Sequence, residues 1–483
     1  MTESFAVLHV RGLEGIGVLQ KINNCVKNSH NIGRRMRLWV GMVFLAGCGS
    51  AFAAEGKGVV PRYDLKACVA QALEASASVQ AAEADVHIAR AQLSQARAAR
   101  VLPKFDLTWV VGPSPEARGD ALNGETDLGS LRLFTRTEAS FIQPLFTFGK
   151  LAAAQDAAAS GVEAREAGVQ KSRADLVLTV SEAYYGLILA NQLWELAEDA
   201  RGEIRKARKT VEEKLEEDED TDFTYTDLAR IDRFIYDVEE NVNRVAKERA
   251  LVASALRMLL GLASTDSMVL ADEYLRPVAV EIHPLEDYLR QAESRADLRQ
   301  LRAGIDVRAA LARVERSEFF PQLFLGGQFK YSYAPNRDDQ RSPFARDDFN
   351  FLQAGAVIGF RQSLAFGATS ARVQKARLEH QKLLYQERLA RDGVRLEVEK
   401  AYRTLLEAQA NTEEAGKAVK ATRRWFVAAR DGFNAGLEEA GELIDAVKEY
   451  GIIRGKRAYV IFAFNRAWGV LQKATGTSIV DLE

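Results

Sequence analysis

Cysteine, histidine and proline are all scarce in this chain, and each scarcity removes a class of function. Three cysteines (Cys25, Cys48, Cys68) and five histidines are too few and too scattered for a disulfide framework or a zinc site. Ten prolines among 483 residues, with Ala, Glu, Arg and Leu recurring throughout, leave room for long uninterrupted helices. An excess of one charge is also lacking. Lys and Arg number 65 against 67 Asp and Glu, so nothing favours nucleic acid as a partner. No His-centred triad, Cys-x-x-Cys pair or phosphate-binding loop after a strand is present. The expectation is a protein that is not an enzyme, with no catalytic residues, no cofactor and no metal. Long hydrophobic runs are missing too. The apolar stretch Leu38–Ala46 falls well short of the roughly 20 residues a membrane-spanning helix needs.

That short run is nonetheless informative. Arg34-Arg35-Met36-Arg37 precedes it and small residues follow, the order of a secretory signal. Cleavage after Ala51-Phe52-Ala53 would make residues 36–53 a signal peptide. Leu45-Ala46-Gly47-Cys48 instead resembles a lipoprotein box, which would lipidate Cys48. Residues 1–35 carry no pattern and are expected to be an upstream extension, with translation starting at Met36. Cys68 is expected to be an inert helix residue.

The remainder is a duplication. Leu102-Pro103 and Phe320-Pro321 stand 218 residues apart, as do Phe148-Gly149 and Phe366-Gly367, Ala183-Tyr184 and Ala401-Tyr402, and Asp227 and Asp445. One offset shared by four landmarks implies two copies of one unit. The copies are expected at 63–282 and 283–476, with a tail at 477–483.

Each copy opens with a helical stretch, Ser76–Arg100 or Ser294–Ser317, stopped by Pro103 or Pro321. The period then becomes two. Phe105, Leu107, Trp109 and Val111 alternate with polar residues, and so do Leu323, Leu325, Phe329, Tyr331 and Tyr333. Strands that are apolar on one face and polar on the other suit a transmembrane β-barrel. Loops are expected at Gly112–Gly129 and Ala334–Asp348, with return strands around Leu133–Leu145 and Phe349–Leu364. After Gly149 and Gly367 helical periodicity resumes. Leu176, Val180, Ala183, Leu187, Ala190, Trp194 and Ala197 form a heptad seam, and Val394, Val398, Ala401, Leu405 and Ala408 repeat it. Helices are expected over about 150–215 and 226–262, the first on the order of 100 Å long. Tyr184, Tyr185 and Trp194 are expected to pack inside the helices. Phe344, Phe349 and Phe351 are either an aromatic belt at the lipid interface or loop packing.

Four strands cannot close a barrel, because even small membrane barrels need about eight. An open sheet in lipid would strand its edge amides, so several copies must share one barrel. In this order of elements the chain resembles the TolC family of outer-membrane factors. Phe141-Ile142-Gln143-Pro144-Leu145-Phe146-Thr147-Phe148-Gly149 is similar to that family's strand-to-helix turn. Phe433-Asn434-Ala435-Gly436-Leu437, followed by Leu443-Ile444-Asp445-Ala446, is similar to its periplasmic tip. The resemblance implies a mainly α fold with membrane β. Three chains would share a twelve-stranded barrel continuous with a helical coiled-coil barrel. It further implies an export channel of a tripartite efflux pump or type I secretion system, working with a periplasmic adaptor and an inner-membrane transporter. The alternative is an exported coiled-coil structural protein without a channel, which would leave the alternating hairpins unexplained.

The same resemblance places Glu442 and Asp445 at the narrow periplasmic entrance, on one helix face, where copies would stack them as carboxylate rings. It makes Asp218, Asp227, Gly436 and Leu437 the tip residues that meet an adaptor. The first tip departs from the family pattern in its acidic run Glu216–Asp222. That run is expected to contact a basic patch on the adaptor.

Overall fold

The computed structural model describes residues 62–119, 123–217, 223–340 and 347–477. Cys48, the signal segment, the upstream extension, Asp218, Phe344 and the tail beyond Thr477 lie outside them. In chain order the elements are β1 (Arg62–Tyr63), α1 (Leu65–Ala75), α2 (Ala77–Val101), β2 (Lys104–Arg118), β3 (Glu125–Phe146), α3 (Lys150–Glu217), α4 (Tyr225–Leu259), β4 (Val269–Leu270), α5 (Leu285–Ala292), α6 (Ala296–Ser317), β5 (Gln322–Tyr333), β6 (Phe351–Arg361), α7 (Phe366–Asn434) and α8 (Ala440–Thr475). Short helix, helix, hairpin, long helix, helix occurs twice, as the constant offset requires. The short helices α1 and α5 are additions that the repeat landmarks do not mark.

The chain divides into two units. One comprises residues up to Gln80, Gln170–Arg295 and those from Asp392 onward; the other comprises Ala81–Val169 and Ala296–Arg391. In the first unit the heptad positions Val180, Ala183, Leu187, Ala190 and Ala197 are buried, and so are Val394, Val398, Ala401, Leu405 and Ala408. Tyr184 lies in a core with Cys68, Ile188, Leu256 and Phe462, and its hydroxyl donates to Asp272 Oδ2 at 2.7 Å. Burial, reinforced by that hydrogen bond, raises the Tyr184 pKa, and burial pushes the Cys68 thiol up to about 12. Both groups stay protonated and serve packing. Trp194 lies under the Arg249 guanidinium at 4.6 Å. No described helix is long and apolar enough to cross a membrane.

The second unit carries an antiparallel sheet in the order β2-β3-β5-β6. Its register sorts the side chains onto two faces, because alternate residues point to opposite sides. Trp109 pairs with Thr137, Thr137 with Tyr331 and Tyr331 with Leu352. That face carries Phe105, Leu107, Trp109 and Val111 of β2, Leu133 and Phe141 of β3, Phe329, Tyr331 and Tyr333 of β5, and Leu352, Ile358 and Phe360 of β6. It carries no Asp, Glu, Lys or Arg over Phe105–Val111, Leu133–Phe141, Leu323–Tyr333 or Leu352–Phe360. The opposite face carries all the charge, interspersed with polar residues and with Val110, Phe134, Ile142, Phe324, Phe351 and Val357: Thr108 pairs with Glu138, Glu138 with Lys330 and Lys330 with Gln353. Within a single chain the apolar face is bare, with Trp109 69% exposed and Phe360 73% exposed. An uncharged, aromatic-rich face of this size suits hydrocarbon, and the charged face suits an aqueous lumen.

One expectation needs correction, and one matched pair of landmarks differs in geometry. Much of the expected loop Gly112–Gly129 is strand, since β2 runs to Arg118 and β3 starts at Glu125. Pro113 and Pro115 suggest a loop, yet β2 is an edge strand, where a missing N–H costs no ladder bond. The landmark pair Phe148-Gly149 and Phe366-Gly367 is also not equivalent in geometry. Phe148 and Gly149 both take positive φ, 48° and 85°, before α3 begins, whereas α7 begins directly at Phe366. Phe148 is held in its strained left-handed conformation by stacking on Phe320 at 5.0 Å and by an edge contact with Phe146 at 4.7 Å.

Phe349 meets Phe134 edge-on at 5.0 Å, and Arg337 lies over its ring at 4.7 Å. Arg337 is also paired with Asp347 at 2.8 Å and donates to the Pro115 carbonyl at 2.9 Å. Phe349 therefore packs the end of the hairpins rather than joining an aromatic belt. Phe351 lies on the polar face, with the Arg136 guanidinium 5.8 Å from its ring.

Candidate gate at the helical tips

Both helical hairpins of the first unit are finished by local chemistry. Thr224-Tyr225-Thr226-Asp227 is a reciprocal capping box. The Asp227 amide donates to Thr224 Oγ1 at 3.2 Å, and the Thr224 amide donates to Asp227 Oδ2 at 3.1 Å. Asp227 is 8% exposed, so its carboxylate shapes the start of α4. Replacing the N-cap Thr224 by alanine is expected to cost about 0.5–2 kcal/mol. Hydrogen exchange over the first turn of α4 should quicken accordingly. Unchanged protection would show that the box does not hold the turn.

The second tip uses glycine. Gly436 takes φ +74°, its amide donates to the Phe433 carbonyl at 3.0 Å, and the Leu437 amide donates to the Gly432 carbonyl at 2.9 Å. These are the two bonds of a Schellman ending, which favours glycine at the left-handed position. The turn buries Phe433 against Phe223 at 5.0 Å, within a core formed with Ile204, Val211, Ile231, Leu443 and Val447. It leaves Leu437 82% exposed. Arg230 spans the tips, its Nη1 3.7 Å from Asp227 Oδ1 and 3.8 Å from Glu439 Oε2. An exposed contact of that length contributes little.

Glu442 lies in the first turn of α8 and Asp445 three residues on; both are exposed, beside the buried Leu443, Ala446 and Val447. The helix N-terminus favours the Glu442 carboxylate. Its Oε1 accepts from the Trp425 indole Nε1 at 2.7 Å, which ties α7 to α8. Sequence reasoning misses Trp425, which stands seventeen residues from Glu442 with no local pattern linking the two. The Thr-x-x-Asp spacing of the capping box is a signal that could have found Thr224. The structure thus brings Asp227, Gly436, Leu437, Glu442 and Asp445 to the hairpin tips of one unit. Among the described residues no group of three or more His, Cys, Asp or Glu could hold a metal ion.

A sheet with one hydrocarbon-compatible face, joined in sequence to paired coiled-coil hairpins, defines a channel-forming protein of the outer-membrane type. The profile of the outer membrane efflux protein family matches residues 68–262 and 289–450, and the chain belongs to that family. Solved structures share its fold. The CmeC outer membrane channel of Campylobacter jejuni is 15% identical, with a TM-score of 0.70, over 90% of this chain and 94% of that one. VceC of Vibrio cholerae is 18% identical, with a TM-score of 0.68, over 86% and 96%. MtrE of Neisseria gonorrhoeae, in its open state, is 17% identical, with a TM-score of 0.67, over 87% and 90%. A search of curated protein sequences finds no match.

Proposed function

We propose that three copies of this chain close one passive export duct through the outer membrane, gated at its periplasmic end by Glu442 and Asp445. The observation that carries this reading is the amphipathic sheet with β2 and β6 at its edges. Each edge needs a partner strand in lipid, and a neighbouring copy supplies it. A duct has no energy source, so an inner-membrane transporter drives export and a periplasmic adaptor bridges to the helical tips. Docking there falls to the exposed Leu437 and the turn made by Gly436, with Asp227 shaping the adjoining tip. Asp218 and its acidic run add negative charge. Family membership favours efflux over protein secretion as the task.

Purified protein reconstituted in planar bilayers should give discrete, cation-preferring conductance steps. Protein confirmed as folded and oligomeric that gives none would overturn the duct and restore the structural coiled-coil reading.

A further inference from the structure

The charged face of the sheet has a sign. Over Lys104–Ser114, Arg132–Pro144, Gln322–Ser332 and Phe351–Arg361, the positions on that face carry five cations and two carboxylates. Both carboxylates are already matched: Asp106 lies 3.3 Å from Lys104, and Glu138 lies 3.8 Å from Lys330. Three guanidiniums remain, on Arg132, Arg136 and Arg361. Arg136 donates to the Asp348 main-chain carbonyl at 2.6 Å, and Arg361 lies over the Phe324 ring at 5.5 Å. Neither contact neutralises charge. Arg132 acts electrostatically on Glu116, and Arg118, paired with Glu116 at 2.9 Å, is also paired with Asp338 at 3.1 Å; that cluster is balanced, which leaves Arg136 and Arg361 unmatched.

The two unmatched guanidiniums lie well apart along the sheet, with Arg132 beyond them. Arg361 pairs with Gln322 at the beginning of β5, Arg136 pairs with Ser332 near its end, and Arg132 pairs with Ser114 further out still. Copies around a shared barrel would turn each position into a ring of guanidiniums facing water. Arginine keeps its charge at any physiological pH, and rings of fixed charge at close quarters select the opposite ion.

We infer that the lumenal face of the sheet is an anion-attracting surface, opposite in sign to the acidic tips. Solutes bearing carboxylate, phosphate or sulfonate groups are the species it favours. This rests on the duct reading above. A cargo therefore meets negative charge at the helical tips and positive charge within the barrel.

The test is reversal potential under a KCl gradient at low ionic strength, where screening is weakest. The full chain carries Glu442→Ala and Asp445→Ala to remove the acidic rings. That background should prefer chloride over potassium by about threefold, because rings of fixed positive charge select anions. Adding Arg136→Gln and Arg361→Gln should bring the ratio to unity or below. The paired change Glu138→Gln with Lys330→Gln should leave it unaltered. Should that combined variant fail to assemble, Arg361→Gln alone, exposed at the sheet end, should give part of the shift. A background channel that prefers potassium, or a ratio indifferent to the arginines, would overturn the inference while leaving the duct intact. A parent protein that conducts nothing would instead defeat the duct reading.

Discussion

Replacing Glu442 and Asp445 together by alanine is expected to raise single-channel conductance about threefold or more and to abolish cation preference, as removal of charge from a narrow ring should. Both carboxylates are exposed on α8, one helical turn apart, while its positions Leu443, Ala446 and Val447 are buried. They cannot turn inward without carrying charge into a core, so they stay at the surface, where neighbouring copies would stack them into rings. Glu442 is additionally held by the Trp425 indole at 2.7 Å, which fixes α7 and α8 together where the entrance would be narrow. Trp425→Phe keeps an aromatic ring and removes the N–H. It should widen the channel less than the double variant and leave ion preference in place. Equal conductance in parent and double variant, with both confirmed as oligomers, would remove these residues from the gate.

The second large effect concerns the uncharged face. Leu107→Arg puts a cation where that face carries none, at a cost of about 2–4 kcal/mol per copy near the bilayer midplane. The same residue introduced one position along, as Thr108→Arg, joins the charged face and should be tolerated. The measurement is the share of each variant recovered from outer membranes as a stable oligomer. Leu107→Arg should fall to a small fraction of the parent and Thr108→Arg should match it. Equal recovery would mean that the two faces have been assigned to the wrong solvents.

Much of this architecture is legible in the sequence because two periods survive there. The heptad seam is set by burial alone, so its spacing by itself marks positions such as Val180, Leu187, Val398 and Leu405, all of them buried. The outgoing strands show their alternation because one face meets hydrocarbon. The return strands show it poorly: Thr135 and Thr137 share the apolar face of β3, and Gly355 and Gly359 interrupt the other face of β6. Pro113 and Pro115 mislead because composition does not say which strand will be an edge. The tips are legible only as far as local motifs reach. Gly436 carries its turn in its own φ, whereas the Trp425–Glu442 contact depends on how two helices pack.

Pro113 and Pro115 also limit how neighbouring copies can join. They are two residues apart in β2, so both point the same way within the sheet, and a residue without an N–H sits best on the unpaired side. With the proline nitrogens on that side, the amides of Phe105, Leu107, Trp109 and Val111 would face an incoming β6, which would then find no donor at the next two places. A seam formed along that edge would have a built-in stop. In a shared barrel, a neighbouring strand that slid outward over Pro113 and Pro115 would find no donor there, and a limit of that kind on the stagger would bear on the tilt and bore of the closed barrel.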